Sequence, residues 1–241
     1  MNKYLTIIIL TVNGLNALIK RHTVAEWVGN KDPHICCLQK THLRLKDLHR
    51  LKVKCWKKNI FQENGQQRKA RVVILMSDKT DFQTRDIKRD PEGHFIILKG
   101  KIHQEGINII NTYGPNIGAP KYIRKILEDF KKDIDSNTII VGHFHTPVSK
   151  MDKSSKQTIN QNIVALNNVL HQMDSTGIYR KLHPKEAKQT LFSNAHGRFS
   201  KIHHMTGHKT SLNKFKKTEI ISTIFFNNKE LKLETNFKGK I

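Results

Sequence analysis

Acidic residues, cysteines and long apolar runs are all scarce in this sequence. Its 20 aspartate and glutamate residues stand against 43 lysine and arginine residues, so the formal net charge is +23 at pH 7. The three cysteines, Cys36, Cys37 and Cys55, cannot all pair with one another, and we expect buried, reduced thiols in an intracellular protein, nuclear or cytoplasmic. No apolar run approaches the roughly 20 residues that a transmembrane helix needs, so we expect no membrane span.

Hydrophobic residues are few but clustered. They make up 37% of the chain and form runs such as Leu5–Val12 and Thr138–Val141, which argues against a disordered chain. The first run is not followed by a small-residue cleavage site, so it is typical of a first strand and not of a signal peptide. Because no internal repeat or low-complexity linker divides the sequence, residues 1–241 are interpreted as a single domain.

The excess of positive charge indicates a polyanionic partner. The charge is spread along the chain and is not confined to one basic tail. Binding to the phosphates of DNA would release condensed counterions, which favours association with little sequence preference. The alternative is a lysine-rich surface that is only solvated. We expect a DNA-binding monomer that contacts the DNA backbone and has no membrane partner.

Segments typical of strands and of helices alternate from end to end. The apolar patterns predict strands at Leu5–Val12, His34–Leu38, Arg71–Met76, Phe95–Lys99, Ile107–Thr112, Thr138–Val141, Glu219–Ile224 and Leu231–Glu234. They predict helices at Leu18–Val28, about Lys121–Asp133, and Gln161–Met173. This mixture indicates layered sheets flanked by helices.

Polar clusters follow several of these strands, where α/β enzymes usually carry their sites. The clusters are Val12–Gly14, Gln39–His42, Thr112–Asn116, Gly142–Pro147 and Ser200–His204. If the strands are neighbours in a sheet, these clusters lie along one edge. The sequence therefore predicts a functional site at the ends of the strands.

Four short motifs, in this order, are similar to those of a known family. They are NGLN at 13–16, SDKTDF at 77–82, YGPNIGAP at 113–120 and KTEII at 217–221. Together they resemble the endonuclease/exonuclease/phosphatase superfamily, in particular the endonuclease domain of LINE-type retrotransposons, a relative of exonuclease III and of the apurinic/apyrimidinic (AP) endonucleases. The resemblance extends over nearly the whole chain. It implies a four-layer α/β sandwich in which two packed mixed β-sheets are flanked by helices.

The resemblance also implies hydrolysis of a phosphodiester bond with a magnesium ion. Such chemistry needs a carboxylate to hold a hard cation, acceptors to orient a water molecule, and a histidine–aspartate pair for proton transfer. The corresponding family positions are substituted here. The glutamate of the family's QETH motif falls at Lys40, and the aspartate and asparagine of its GDFN motif fall at His143 and His145. The aspartate of its IDH motif falls at His203, and the aspartate and histidine of its terminal SDH motif fall at Asn227 and Asn228.

A smaller set of positions keeps the family's residue type. These are Tyr113, Asn116 and Thr190, while Asn13 is ambiguous because the N-terminal motif is two residues shorter than the family's. Outside the resemblance, a tyrosine before a Gly-Pro turn or a threonine in a strand would be read as structural. With it, these are the residues expected to remain from the catalytic set.

The substitutions predict a catalytically impaired or inactive protein that still binds DNA. An ammonium at position 40 is not a magnesium ligand, so we expect magnesium not to bind, while Lys40 could hold a backbone phosphate without cleaving it. The alternative is an active metal-dependent DNA phosphodiesterase of the exonuclease III or AP endonuclease repair type, with its metal on altered ligands. A pure scaffold and a retroelement copy without function remain open.

The histidines allow one further hypothesis. His143 and His145 are two residues apart, so in a strand both would leave the same face, and the resemblance places His203 opposite them. Three imidazoles could bind zinc in place of magnesium if their nitrogens converge on one point. The alternative is three unrelated histidines in a cleft that has lost its chemistry.

Overall fold

A computed structural model describes residues 4–43, 51, 56, 59–62, 70–146, 160–186, 191–193, 198–200, 203–223 and 229–236. The strands in these ranges are β1 (Tyr4–Thr11), β2 (Ile35–Leu43), β3 (Asn59–Gln62), β4 (Ala70–Met76), β5 (Phe82–Arg89), β6 (Phe95–Ile102), β7 (Glu105–Tyr113), β8 (Thr138–His143), β9 (Ser175–Gly177), β10 (Leu191–Ser193), β11 (Arg198–Ser200), β12 (His203–His208), β13 (Phe215–Ser222) and β14 (Lys229–Asn236). The helices are α1 (Leu18–Lys31), α2 (Ala119–Asp129), α3 (Gln161–Gln172) and α4 (Ile178–Leu182), with 3₁₀ turns at Lys131–Asp133 and Lys209–Lys214.

The strands form two mixed six-stranded sheets. The first has the order β13-β14-β1-β2-β4-β3, and the second has the order β5-β6-β7-β8-β12-β9. Each sheet contains one parallel pair, β1 with β2 in the first and β7 with β8 in the second, and its other described pairs are antiparallel. Strands β10 and β11 form a separate antiparallel pair. The two mixed sheets confirm the α/β fold class predicted from the sequence.

The two sheets pack face to face, with helices on the outside. The central core joins Ile7 and Ile74 of the first sheet to Ile109 and Val141 of the second. A second core lies between the outer face of the first sheet and α1. A third core lies between the outer face of the second sheet and both α2 and α3. The layers therefore run helix, sheet, sheet, helix, which is the predicted four-layer sandwich.

Strand β1 shows why the sequence forms this arrangement. Successive side chains of a strand point to opposite faces, so a strand covered on both faces needs apolar residues at every position. Ile7 and Ile9 enter the central core, while Ile8 and Leu10 enter the core beneath α1. The unbroken apolar run at the start of the chain is thus explained by burial on both sides.

The adjacent cysteines follow the same alternation. Cys37 enters the central core and Cys36 enters the core beneath α1, and both are fully buried free thiols. Burial raises the pKa of both thiols, so they are protonated and unreactive. The prediction of buried thiols is confirmed for this pair, and Cys55 lies outside the described residues.

The strand and helix bounds differ from the predicted ones mainly at the ends. The helix predicted to run to Asp133 ends at Asp129, and its last turn is the separate 3₁₀ turn. The elements that were not predicted are β3, β5, β9, β10, β11, β12 and α4. Of these, β5 is mostly exposed and polar and β12 is rich in histidine, so neither shows the apolar pattern on which the prediction depends. None of the helices in the described ranges is both long and apolar enough to cross a membrane.

Candidate functional site

The C-terminal ends of both parallel pairs lie at one edge of the sandwich. Beneath this edge the two sheets are joined by buried amides: Gln39 Nε2 donates to Asn111 Oδ1 at 2.9 Å. Asn111 Nδ2 in turn donates to the carbonyl oxygens of Leu38 and Val73. This joint holds the end of β2 beside the end of β7. Polar side chains from both sheets therefore meet above it, as the sequence predicts.

Three histidines form a hydrogen-bonded chain at this edge. His203 lies beside His143 because β12 pairs with β8 in that register, and His143 Nδ1 is 2.7 Å from His203 Nε2. His143 Nε2 is 3.2 Å from His145 Nδ1. Strand β8 ends at His143, and His145 reaches back through a left-handed backbone with φ of 51°. The histidines do meet, but a turn brings His145 to the others, whereas the sequence suggested a shared strand face.

The hydrogen bond at the His203 end of this row of histidines determines which ring nitrogens carry a proton. His203 Nδ1 is 3.2 Å from the carbonyl oxygen of Lys229, which can only accept, so His203 donates there. His203 Nε2 then accepts from His143 Nδ1, and His143 Nε2 accepts from His145 Nδ1. The outer nitrogen, Nε2 of His145, is buried and has no hydrogen-bond partner in the described part of the chain. We therefore assign one neutral tautomer to each ring.

Burial keeps all three rings uncharged. It lowers the pKa of His203 to about 3 and that of His145 to about 4, and it places the pKa of His143 well below its ordinary value of 6.5. The ammonium of Lys40 lowers the pKa of His143 and His145 further. At neutral pH the histidines are hydrogen-bonding groups without charge.

A buried glutamate stands behind the histidines. Glu230 is fully buried; its Oε1 accepts a hydrogen bond from the Thr11 amide at 3.1 Å, and its Oε2 lies 3.6 Å from His203 Nδ1. Burial raises the pKa of Glu230 to about 8, so this carboxyl group is mostly protonated at pH 7. The sequence analysis missed Glu230, since nothing in the alternation of Leu231–Glu234 marks the residue before it as buried.

Lys40 stands at the mouth of the cluster. The pairing of β2 with β4 is irregular between Gln39 and Leu43, and Lys40 lies in this bulge with φ of 54°. Bulges re-aim side chains and are common beside functional sites. In the part of the chain that the structure describes, the half-buried Lys40 forms no hydrogen bond or ion pair through its ammonium. This charge is therefore available to an anion.

Tyr113 belongs to the same cluster. The centroid of its ring lies 5.2 Å from that of His143 and 5.1 Å from that of His145. Burial raises the pKa of Tyr113, so its hydroxyl group is protonated and able to donate. Asn116 and Asn13 lie in exposed loops after β7 and β1, outside the buried cluster. The other predicted positions, Thr190, Asn227 and Asn228, lie outside the described residues.

The donor set does not fit a magnesium ion. Magnesium prefers oxygen ligands in an octahedral arrangement, and this cluster presents an ammonium and imidazoles, with the Glu230 carboxyl group turned to Thr11 and His203. Zinc fits no better, because His143 turns opposite nitrogens to His203 and His145, so the rings do not face one point. Across the described ranges no group of three or more histidine, cysteine, aspartate or glutamate side chains is placed to hold a metal ion.

Comparison with solved structures identifies the fold. No protein-family model matches the chain. The chain is similar to the AP endonuclease LMAP from Leishmania major, with a TM-score of 0.78 at 13% identity over 98% of this chain and 88% of the other. It is similar to an AP endonuclease from Archaeoglobus fulgidus, with a TM-score of 0.76 at 16% identity over 97% and 100% of the two chains.

A third similar structure comes from a retrotransposon. The endonuclease domain of TRAS1, a telomere-specific non-LTR retrotransposon, matches with a TM-score of 0.70 at 10% identity over 97% of this chain and 99% of the other. All three structures share the fold of the described chain nearly from end to end. The fold implied by the sequence resemblance is thereby confirmed.

Proposed function

We propose that this chain is a single-domain DNA-binding protein with a LINE endonuclease-like fold whose phosphodiester hydrolysis is impaired or lost. The observation that carries the proposal is the composition of the cluster: three neutral imidazoles and one ammonium that pairs with no carboxylate in the described ranges. Hydrolysis in this fold would need carboxylates around a metal ion, whereas binding of a phosphate needs only cations and hydrogen-bond donors. The similar structures named above are endonucleases, which supports DNA as the ligand.

The charge of the chain favours binding through the DNA backbone. A formal net charge of +23 attracts the phosphates of any duplex, and Lys40 is a cation at the site itself that has no ion-pair partner among the residues described. Contacts of this kind carry no sequence information. We therefore expect tight binding with weak sequence preference.

Duplex binding is expected to weaken steeply with salt. Each phosphate neutralised by a lysine or arginine lowers log K by about 0.9 per unit of log salt, so several such contacts give a slope of several units. A fluorescence-anisotropy titration of a short duplex over a range of salt concentrations measures this slope. A flat salt response would contradict the proposal, and so would the absence of binding at low salt.

A plasmid assay distinguishes DNA binding by this protein from DNA cleavage. Supercoiled plasmid incubated with the chain and with magnesium, manganese or zinc in turn is expected to be bound and to remain supercoiled. Nicking that depends on one of these metals, and that disappears in the His143→Ala variant, would favour the alternative of a working phosphodiesterase. The matched control is His171→Ala, which removes an exposed histidine from the last turn of α3.

Magnesium is expected to leave the thermal stability of the protein unchanged. The reason is the ammonium of Lys40, which repels a dication and offers no lone pair. A thermal-shift titration with magnesium chloride, matched in ionic strength with sodium chloride, measures the effect. Saturable stabilisation by magnesium that changes in the Lys40→Ala variant would show that the site holds the ion after all.

A further inference from the structure

A second cation stands opposite Lys40, and the sequence analysis assigned it no role. In the pairing of β2 with β4, Gln39 lies opposite Val72 and Leu43 lies opposite Ala70, so Arg71 faces the bulge that carries Lys40. The bulge is held in place on that side, because Thr41 Oγ1 donates to the Ala70 carbonyl oxygen at 2.7 Å. The strand pairing thus brings the positions of Lys40 and Arg71 together.

Both cations act on the group of rings that includes Tyr113. The charge of Lys40 lowers the pKa of His143 and His145, and the charge of Arg71 acts to lower the pKa of Tyr113. The Tyr113 ring contacts both histidines. The Arg71 N–H donates to the Gly93 carbonyl oxygen and the Tyr113 N–H donates to that of His94, so these two residues lie beside adjacent positions of one loop. Lys40, Arg71 and Tyr113 therefore lie around one edge of the cleft.

Neither cation is neutralised by a carboxylate of the described residues. In the described residues, Lys40 and Arg71 form no ion pair and no side-chain hydrogen bond. Asp90, a buried carboxylate that acts with Arg71 on the pKa of Tyr122, instead accepts hydrogen bonds from the His94 amide and the Tyr122 hydroxyl. On the other side, Glu230 is behind the histidines. Two unit positive charges are left in a partly buried place, where they attract anions more strongly than at an open surface.

We propose that Lys40, Arg71 and the Tyr113 hydroxyl form a clamp for a phosphomonoester dianion, such as the phosphate at a phosphorylated end of a DNA strand. The guanidinium suits such a group because its fork can pair with two phosphate oxygens at once, while the lysine adds a point charge and the hydroxyl a third donor. A terminal phosphate offers three free oxygens and close to two negative charges, whereas an internal phosphodiester offers two oxygens and one charge. The clamp selects strand ends over continuous backbone.

The part of this inference that concerns DNA rests on the proposed function. The chemistry that it names, a phosphate dianion, is shared by a strand end and by free inorganic phosphate. The probes are therefore a short duplex with a phosphate at one end, the same duplex with a hydroxyl group there, and inorganic phosphate alone. Phosphate is placed on the 5′ end in one duplex and on the 3′ end in another.

The phosphorylated duplex is expected to bind about 10-fold more tightly than its hydroxyl-terminated counterpart for at least one of the two ends. In the Arg71→Ala and Lys40→Ala variants the ratio of the two affinities is expected to fall to about one. Arg71→Lys keeps the charge without the fork and is expected to give an intermediate ratio. The matched control, Arg85→Ala, removes an exposed arginine from edge strand β5 and is expected to keep the full ratio.

These measurements distinguish a failure of the proposed clamp from a failure of the proposed DNA binding. Equal affinity for phosphorylated and unphosphorylated ends, or a ratio that falls as much in Arg85→Ala as in Arg71→Ala, would overturn the clamp while duplex binding itself stands. If no duplex binds, but inorganic phosphate raises the melting temperature of the protein and not of Arg71→Ala, the clamp stands and DNA binding fails. Should the alanine variants fail to fold by circular dichroism, Tyr113→Phe removes one donor, and a ratio unchanged in that variant and in Arg71→Lys would also overturn the clamp.

Discussion

Introducing the side chains that the resembled nucleases carry at six positions is expected to raise magnesium-dependent nicking of supercoiled plasmid by at least about 100-fold, because a general acid–base pair alone contributes about 10²–10⁴-fold and the new carboxylates would supply ligands for the metal ion. The changes are Lys40→Glu, His143→Asp, His145→Asn, His203→Asp, Asn227→Asp and Asn228→His. The measurement is the rate of conversion of supercoiled to open-circular plasmid, for the restored variant and for the unaltered chain.

The structure adds one requirement to this experiment. Glu230 Oε2 lies 3.6 Å from the ring of His203, so a carboxylate introduced at position 203 would face a second buried carboxyl group. Two neighbouring buried carboxyl groups do not readily ionise together, and Glu230 already holds a proton at neutral pH. We therefore expect restoration to require Glu230 in its protonated form, so that nicking by the restored variant falls as the pH rises above 8.

The control for restoration is the same set of changes without Lys40→Glu. That variant keeps an ammonium at the position where the resemblance implies a metal ligand and is expected to nick no faster than the unaltered chain. Comparable activity with and without Lys40→Glu would contradict the reading of position 40 as the decisive loss. Fast nicking by the unaltered chain would contradict the proposed loss of hydrolysis altogether.

Glu230→Gln is expected to stabilise the protein strongly at alkaline pH. Burial raises the pKa of Glu230 from 4.5 to about 8, so the folded protein holds a proton that the unfolded chain releases. A raised pKa means that this contribution to stability is fully present below pH 4.5 and is lost as the pH rises through 8. The glutamine keeps an oxygen for the Thr11 amide and carries no charge, so it avoids this loss.

The expected change in the free energy of unfolding follows from the shift in the pKa of Glu230. Between pH 5 and pH 9 the free energy of unfolding of the unaltered chain should fall by about 4 kcal/mol more than that of Glu230→Gln. Urea denaturation at each pH measures the difference. Below pH 4.5, where Glu230 is protonated in both the folded and the unfolded chain, the two proteins should lose stability alike, because the lowered pKa of His203 and of its partners is common to both.

A surface glutamate provides the matched control. Glu219 forms ion pairs with Lys217 and Lys232, which lower its pKa, so its contribution is lost as the pH falls and not as it rises. Glu219→Gln is expected to bring no gain at pH 9. Equal behaviour of Glu219→Gln and Glu230→Gln at alkaline pH would show that Glu230 is not held as a buried acid.

Much of the scaffold was predictable from the sequence because both faces of its central strands are covered. A strand such as β1 must then be apolar at each position, and this signal survives without any knowledge of its partners. Strands with one exposed face, such as β5, carry polar residues in no strict alternation and were missed. The four-layer arrangement followed from the resemblance and not from the apolar pattern.

The site was predictable only in part. The resemblance placed Lys40, His143 and His203 at strand ends that do meet. It could not indicate Glu230, whose burial depends on the position of β14 beside β1. Nor could it indicate Arg71, whose position opposite Lys40 depends on a bulge of the β2–β4 pair. Both are consequences of strand register, which a single sequence does not determine.

The buried amide joint between Gln39 and Asn111 has a consequence for how such a protein can change over generations. The joint lies next to the positions of Lys40, His143 and His145, and the two amides bond to backbone carbonyl oxygens and to each other. Exchange of a side chain at position 40, 143 or 145 alters the charge of the cleft without breaking the link that spaces the two sheets. The fold can therefore persist after one activity of the cleft is lost, and a different activity can arise on the same fold.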